Sequence, residues 1–220
     1  DNTLACLTEL AAREPRLRVI QTPSGPGTAR MAGVAEARGD LIAFLDGDDF
    51  FEPDFLTESY AAMVENDADL VQCGIRYVWP DRDYLQSSPG GIISGEQCKT
   101  RIDTLDQFPF LQPHLWNKLY KKRVLDGLIM QDKFYEDAHA AVLIAKACSK
   151  IVVIDSPLYN YNKRFSVITG SGTRNFTGSD RYLVGCLHSQ RMYFTELQRT
   201  ERKKWGTPLP GCVHANLSTY

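Results

Sequence analysis

Three carboxylates lie together at Asp46, Asp48 and Asp49, immediately after the apolar run Leu41–Leu45. Carboxylates this close repel one another unless a cation lies among them, and a hard divalent cation takes oxygen ligands. Gly47 leaves Asp46 and Asp48 free to turn toward one ion. The spacing therefore predicts a divalent-cation site, with a solvated turn that caps the following helix as the structural alternative.

Two further acidic residues, Glu136 and Asp137, open a segment with helical periodicity that continues to Cys148. Negative side chains at a helix N-terminus complement the helix dipole, so a purely structural role is sufficient to explain the pair. The chemical alternative is that Asp137 faces the site and acts as a general base.

A third candidate is Arg30, in the first turn of a predicted helix that follows the loop Pro23–Gly27. Free N–H groups at such a helix start can hold a phosphate, and Arg30 points to the same region, where it would bind a diphosphate or a base. An ordinary surface arginine is the alternative. The loop matches neither the dinucleotide-binding fingerprint nor the P-loop, because GxGxxG and GK[ST] are absent.

The elements around the acidic cluster predict an α/β sheet. Leu41–Leu45 lacks polar alternation, which is typical of a central parallel strand covered on both faces. Ligands of such sheets bind beyond the carboxyl ends of the strands, where this run delivers its acidic residues. With a short strand at Leu17–Ile20 and a helix over 28–38, residues 17–45 are predicted to form one right-handed βαβ unit.

Hydrophobic patterning predicts the remaining elements. Helices are predicted over 1–13, 54–66, 121–126, 134–148 and 179–204, with weak helical character over 94–112. Strands are predicted over 69–73, 75–79, 116–120 and 151–154, with a further segment at 157–161 and loops over 80–91 and 167–178.

Composition excludes several classes of protein. The 220 residues are 43% hydrophobic and 24% charged with a net charge of -2, and no basic stripe suited to nucleic acid is present. No apolar run approaches the roughly 18 residues of a membrane-spanning helix. The six cysteines are widely spaced and form no CxxC pair, which argues against a zinc or redox site and favours a reduced cytosolic setting.

Several short motifs follow one another in a familiar order. They are Asp1-Asn-Thr-Leu4, Gly27–Gly33, Leu41–Asp49, Trp116–Lys118, Glu136-Asp137, and Tyr159–Tyr161 followed by Arg164 and Ser166. Together they resemble the family-2 inverting glycosyltransferases with the GT-A fold, over roughly residues 1–170. Met31 departs from the family pattern, in which Asn is usual at that position.

The resemblance implies an α/β fold: a GT-A-like, Rossmann-type, mixed but mainly parallel sheet flanked by helices. It gives a glycosyltransferase domain at 1–170 and a helical C-terminal extension at 171–220. In the family, two strands precede the segment that Asp1 begins here, so the 220 residues are expected to be a fragment.

The implied reaction is metal-dependent, inverting transfer of a sugar from a nucleotide-diphosphate donor, a UDP-sugar, to an acceptor hydroxyl in surface polysaccharide or glycoconjugate synthesis. Asp48 corresponds to the ligand of Mn²⁺ or Mg²⁺, and Asp137 to the general base. Arg30, Asp46 and Gly47 correspond to donor-binding positions. The positions expected to support the site and the acceptor are Trp116, Lys118, Glu136, Tyr161, Arg164 and Ser166.

The expected partners are a nucleotide-sugar and a glycan or lipid-linked acceptor, in the cytoplasm and peripherally at the inner face of the membrane. Two alternatives stay open. A sugar-nucleotide nucleotidyltransferase also holds Mg²⁺ on carboxylates, but its Gly-rich signature is absent. A non-catalytic carbohydrate-binding or scaffolding relative would not need acidic residues at 46, 48, 136 and 137, and their presence argues against it.

Overall fold

The computed structural model describes residues 2–23, 25–86, 90–97, 111–130 and 136–162. All of them belong to one compact unit, Asp1–Arg174. The predicted C-terminal extension over 171–220 and the predicted loop over 167–178 lie outside the described residues.

Four predicted helices are confirmed, apart from small shifts at their ends. They are α1 (Thr3–Arg13), α2 (Pro26–Glu36), α3 (Phe55–Asn66) and α4 (Glu136–Ala147). Pro26 lies in the first turn of α2, where its missing N–H removes no helical hydrogen bond. A 3₁₀ helix, Lys122–Leu125, takes the place of the helix predicted over 121–126. Of the weakly helical stretch over 94–112, residues 95–97 are helical, and 98–110 lie outside the described part.

Within the described residues, the strands form one seven-stranded sheet. They are β1 (Leu41–Ala43), β2 (Phe50–Phe51), β3 (Leu70–Val78), β4 (Asp83–Gln86), β5 (Gly91–Ser94), β6 (Lys118–Lys121) and β7 (Lys150–Asn162). The strand order is β1-β6-β3-β7-β2, with β4 also paired to β3 and β5 also paired to β7.

This sheet is mixed, as predicted, but the described strands are not mainly parallel. The β3–β7 pair is parallel and the other pairs are antiparallel. The strand predicted as central and parallel, β1, lies at one end of the described order and pairs antiparallel with β6. An apolar run in the sequence indicates that a strand is buried, but it does not indicate whether the neighbouring strand runs parallel or antiparallel. This is why the predicted direction of β1 is wrong.

The predicted βαβ unit over 17–45 is wrong for the described residues. Leu17–Ile20 forms no strand because no described strand pairs with it, and Val19 and Ile20 are 36% and 43% exposed. The predicted loop over 80–91 contains β4 and the start of β5. At the other end of the chain, β7 joins the segments predicted at 151–154 and 157–161 into one strand.

The core lies between α3 and the sheet. Phe55 and Met63 on α3 enter two clusters formed with β3 and β7. Asp69 is buried immediately before β3. Its carboxylate accepts a hydrogen bond from the Ser149 N–H over 2.7 Å and forms an ion pair with Arg123. This carboxylate therefore ties the beginnings of β3 and β7 to the 3₁₀ helix.

Candidate active site

The three acidic residues lie on a turn between β1 and β2. The Asp49 N–H closes this turn by donating to the Asp46 carbonyl oxygen over 3.1 Å. Asp46 and Asp49 are partly buried, whereas Gly47 and Asp48 are exposed. We call residues Asp46–Asp49 the acidic turn. It presents one carboxylate to solvent and holds the other two against the protein.

Arg30 on α2 contacts the first carboxylate of the acidic turn. Its Nη2 donates to Asp46 Oδ1 over 3.0 Å, and the Arg30 side chain is only 14% exposed. Arg30, Asp46 and Gly47 all line a cleft of about 530 Å³ between α2 and the end of β1. The structure therefore brings together the three positions expected to bind the donor.

Asp49 belongs to the acidic cluster, and two hydrogen bonds hold its carboxylate in place. The Tyr159 hydroxyl donates to Oδ2 over 2.6 Å, and the Asn162 N–H donates to Oδ1 over 2.8 Å. Burial raises the pKa of Asp49, the charges of Asp48 and Asp46 raise it further, and the two hydrogen bonds oppose the rise. Asp49 and Tyr159 are 110 positions apart, and no sequence motif links them.

Asp48 makes no hydrogen bond or ion pair with the residues that the structure describes. Within those residues, no group of three or more His, Cys, Asp or Glu side chains is arranged to hold a metal ion by itself. A Mg²⁺-type site needs only one or two carboxylates when substrate phosphates supply further oxygens. Asp48 fits a site of that kind, with Asp46 already paired to Arg30.

Aromatic rings lie beside the acidic turn. Trp116 stacks on Tyr159 and Tyr161, with ring centroids 4.3 and 5.3 Å apart, and His114 stacks on Trp116 at 4.3 Å. Tyr77 meets Tyr161 edge-on at 5.6 Å. Because Trp116 is only 4% exposed, its contribution in this structure is to pack against the two tyrosines.

The pKa of Tyr161 responds both to the acidic turn and to Asp137 on α4. Burial raises the pKa of its hydroxyl, and the negative charges of Asp49, Asp48, Asp46 and Asp137 raise it further. Asp137 itself is partly buried in the first turn of α4.

Lys118 on β6 is buried, with 1% of its surface exposed. Its ammonium donates to Asn117 Oδ1 over 2.8 Å and to the His114 carbonyl oxygen. Burial lowers the pKa of Lys118 to about 7, and the charges of Cys73 and Asp137 act in the opposite direction.

Three expected support positions cannot be placed in the same way. Glu136 begins α4, but its side chain lies outside the described part of the chain, as do Arg164 and Ser166. Their roles stay predictions.

Comparison with known proteins decides the class of the chain. A family model described as Glycosyl transferase family 2 matches residues 1–151, which is more than half of the chain. The chain belongs to glycosyl transferase family 2. The resemblance seen in the motifs is thereby confirmed at the level of the family and of the enzyme class.

This family-2 chain is similar to the uncharacterized glycosyltransferase EpsJ of Bacillus subtilis (strain 168). The identity is 25% over 169 residues, covering 73% of the chain and 49% of EpsJ. The succinoglycan biosynthesis protein ExoW of Rhizobium meliloti (strain 1021) is 45% identical over 67 residues, covering 29% of the chain and 21% of ExoW. The chain spans about half the length of the first curated relatives.

Among solved structures, the family-2 chain is similar to S. aureus TarS 1–349 in complex with UDP-GlcNAc. The TM-score is 0.61 at 20% identity, covering 76% of this chain and 48% of the TarS 1–349 chain. A similarity at this identity shows a shared fold, and the expected GT-A architecture is confirmed. No helix in the described ranges is long and apolar enough to cross a membrane.

Proposed function

We propose that this family-2 chain transfers a sugar from a UDP-sugar to an acceptor hydroxyl, with a divalent cation and with inversion at the anomeric carbon. The observation that carries the proposal is the cleft between α2 and the end of β1, where Arg30 contacts Asp46 and the exposed Asp48 follows on the acidic turn. Such a transfer needs a cation site for the leaving diphosphate and a separate base for the incoming hydroxyl. Asp48 on the acidic turn and Asp137 on α4 supply carboxylates from two separate elements for these two roles.

The donor half of the proposal rests on the cleft beside α2. Arg30 would contact the diphosphate, and Asp46, held 3.0 Å from its guanidinium, would contact the ribose. Asp48 would hold Mn²⁺ or Mg²⁺ together with diphosphate oxygens, and the bound cation would supply Lewis-acid stabilisation of the leaving group. The shared fold with TarS, solved with UDP-GlcNAc, supports a UDP-sugar donor.

The acceptor half of the proposal rests on Asp137. The acceptor oxygen forms a bond to the anomeric carbon as the bond from that carbon to the phosphate oxygen breaks. The hydroxyl proton passes to the Asp137 carboxylate, and the diphosphate leaves with the bonding electrons. General-base assistance of this kind is worth about 10²–10⁴-fold in rate.

We further propose a glycan or lipid-linked acceptor in surface polysaccharide or glycoconjugate synthesis, met in the cytoplasm at the inner face of the membrane. Support comes from the similarity to a relative named for succinoglycan biosynthesis. Co-sedimentation of the chain with vesicles that carry lipid-linked sugars tests this location, and acceptor activity confined to free nucleotides or proteins would contradict it.

A panel of nucleotide-sugars with Mn²⁺ tests the proposed reaction. We expect release of free nucleoside diphosphate from one UDP-sugar, loss of that release in excess chelator, and recovery on adding Mn²⁺. Asp48→Asn should abolish the response to Mn²⁺, whereas the exposed Asp81→Asn should keep it. Undiminished release in excess chelator would overturn the metal assignment.

The same panel separates the proposed transferase from the alternatives. A nucleotidyltransferase would release inorganic diphosphate from UTP and a sugar 1-phosphate, and it would release no UDP from UDP-sugars. Glycan binding that needs neither nucleotide nor metal, with no turnover, would identify a non-catalytic relative.

A further inference from the structure

The hydroxyl of Tyr159 on β7 joins both ends of the acidic turn. It accepts the Asp46 N–H over 3.4 Å and donates to Asp49 Oδ2 over 2.6 Å. The N–H of Asn162, at the end of the same strand, donates to Asp49 Oδ1 over 2.8 Å. The turn is therefore fastened at its first and last residues to β7, which is distant in the sequence.

Tyr159 is a rigid anchor for this connection. The residue is fully buried, its ring stacks on Trp116 at 4.3 Å, and Phe51 packs edge-on against it at 5.5 Å. Phe51 is also the partner of Tyr159 in the β2–β7 ladder. Packing on the ring and pairing of the backbone together hold the hydroxyl at one place.

Asp48 lies between the two fastened residues of the turn. Its side chain is exposed and makes no hydrogen bond or ion pair to the described residues. The backbone of the turn, and through it Asp49 and Tyr159, therefore determines where the Asp48 side chain is attached.

We propose that Asp49 and Tyr159 are positioning residues, which hold the acidic turn so that Asp48 presents its carboxylate to a divalent cation and a nucleoside diphosphate. This inference rests on the proposed function, because it takes Asp48 as the cation ligand. Partners that orient a metal ligand contribute about 10–100-fold to metal affinity in other proteins.

Two conservative variants remove the fastening and keep the shape of the side chains. Tyr159→Phe deletes only the bridging hydroxyl and keeps the ring that packs on Trp116. Asp49→Asn keeps one oxygen for the Asn162 N–H but presents an NH₂ group where the Tyr159 O–H donates, so the hydroxyl loses its acceptor. Tyr60→Phe and Asp81→Asn are matched controls, because both side chains are exposed elsewhere.

The test is a titration of the full chain with Mn²⁺ in the presence of UDP, followed by electron paramagnetic resonance of free Mn²⁺. We expect each positioning variant to raise the half-saturating Mn²⁺ concentration by about tenfold or more. The double variant should be little worse than the weaker single variant, because the two residues act through one contact. The control variants should bind Mn²⁺ as the unmodified chain does.

The arms of the experiment distinguish the two proposals. Loss of Mn²⁺ binding with Asp48→Asn but unchanged binding with both positioning variants would overturn the positioning role and leave the proposed function in place. Absence of Mn²⁺ binding by the unmodified chain with UDP would overturn both. If Tyr159→Phe does not fold, as judged by circular dichroism, Asp49→Asn decides by the same criterion.

Discussion

At the scale of the residue, three identical carboxylates are set apart by their surroundings. Asp46 is paired with Arg30, Asp49 is held by two hydrogen bonds, and Asp48 is exposed without a partner in the described residues. Pairing fixes a carboxylate in place and lowers its availability to a new cation, whereas exposure leaves it available. This difference is why we place the cation at Asp48 and assign its neighbours supporting roles.

Asp137→Asn tests the proposed base. An amide cannot take up the acceptor proton, so we expect turnover to fall by at least about 10²-fold, with little change in the affinity for the donor. Steady-state kinetics with varied donor separates the two quantities. Asp126→Asn, which changes an exposed carboxylate at the end of the 3₁₀ helix, is the matched control. Weak donor binding with normal turnover at saturation would instead place Asp137 in the donor site.

Burial of Lys118 gives a prediction about stability and pH. Its pKa is lowered from 10.5 to about 7 in the folded chain. Between these two values the unfolded chain binds the extra proton, so the free energy of unfolding should rise with pH by up to about 1.4 kcal/mol per unit. Below about pH 7 both states are protonated, and this dependence should disappear.

Lys118→Met removes the titrating group and should remove that rise. Urea unfolding of both proteins between about pH 6 and about pH 9 measures the difference in slope, which is independent of any constant loss from the two deleted hydrogen bonds. Equal slopes in the two proteins would show that Lys118 keeps an ordinary pKa.

At the scale of the element, the site depends on the close approach of β3, β4 and β7. Gly74 on β3 lies where the register of β3 shifts against β7. A Cβ at Gly74 would lie 2.9 Å from the Asp155 carbonyl oxygen and 3.2 Å from that of Gln86, both of them backbone atoms. Only a residue without a side chain allows β7 to continue past this point toward Tyr159.

Gly74→Ala should therefore destabilise the fold. Forcing a methyl group against backbone typically costs about 1–3 kcal/mol in the free energy of unfolding, and urea denaturation measures it. Gly33→Ala in α2 is the matched control. Apart from its chain neighbours and the backbone of its own helix, nothing lies within 4 Å of a Cβ added there, and a helix gains about 0.5–1 kcal/mol from this change. A Gly74→Ala protein as stable as the unmodified chain would contradict the observed strand contact.

At the scale of the whole molecule, the proposed roles of Asp48 and Asp137 require in-line displacement. The leaving diphosphate is assigned to the acidic turn and the attacking hydroxyl to α4. An α-linked sugar donor should then give a β-linked product. Nuclear magnetic resonance of the anomeric proton of the product reads out this configuration, with donor incubated without protein as the control for spontaneous hydrolysis. A product with retained configuration would require a nucleophile in place of a base.

The sequence by itself determined the features that are local. Helical periodicity gave α1 to α4, because the contacts that define a helix face lie three or four residues apart. The order of short motifs gave the family, which the match over residues 1–151 confirms. The acidic cluster, Arg30 and Asp137 follow from residue type and motif, and the structure brings Arg30 into contact with Asp46 of the cluster.

Only the tertiary structure decided the pairing of strands and the roles within the acidic turn. Strand direction did not follow from the apolar run at Leu41–Leu45, because burial is the same for either direction of a neighbouring strand. The partners of Asp49 lie 110 and 113 positions away, and the partner of Asp46 on β7 lies 113 positions away. Contacts at such separations arise from the order of strands in the sheet, which no spacing in the sequence encodes.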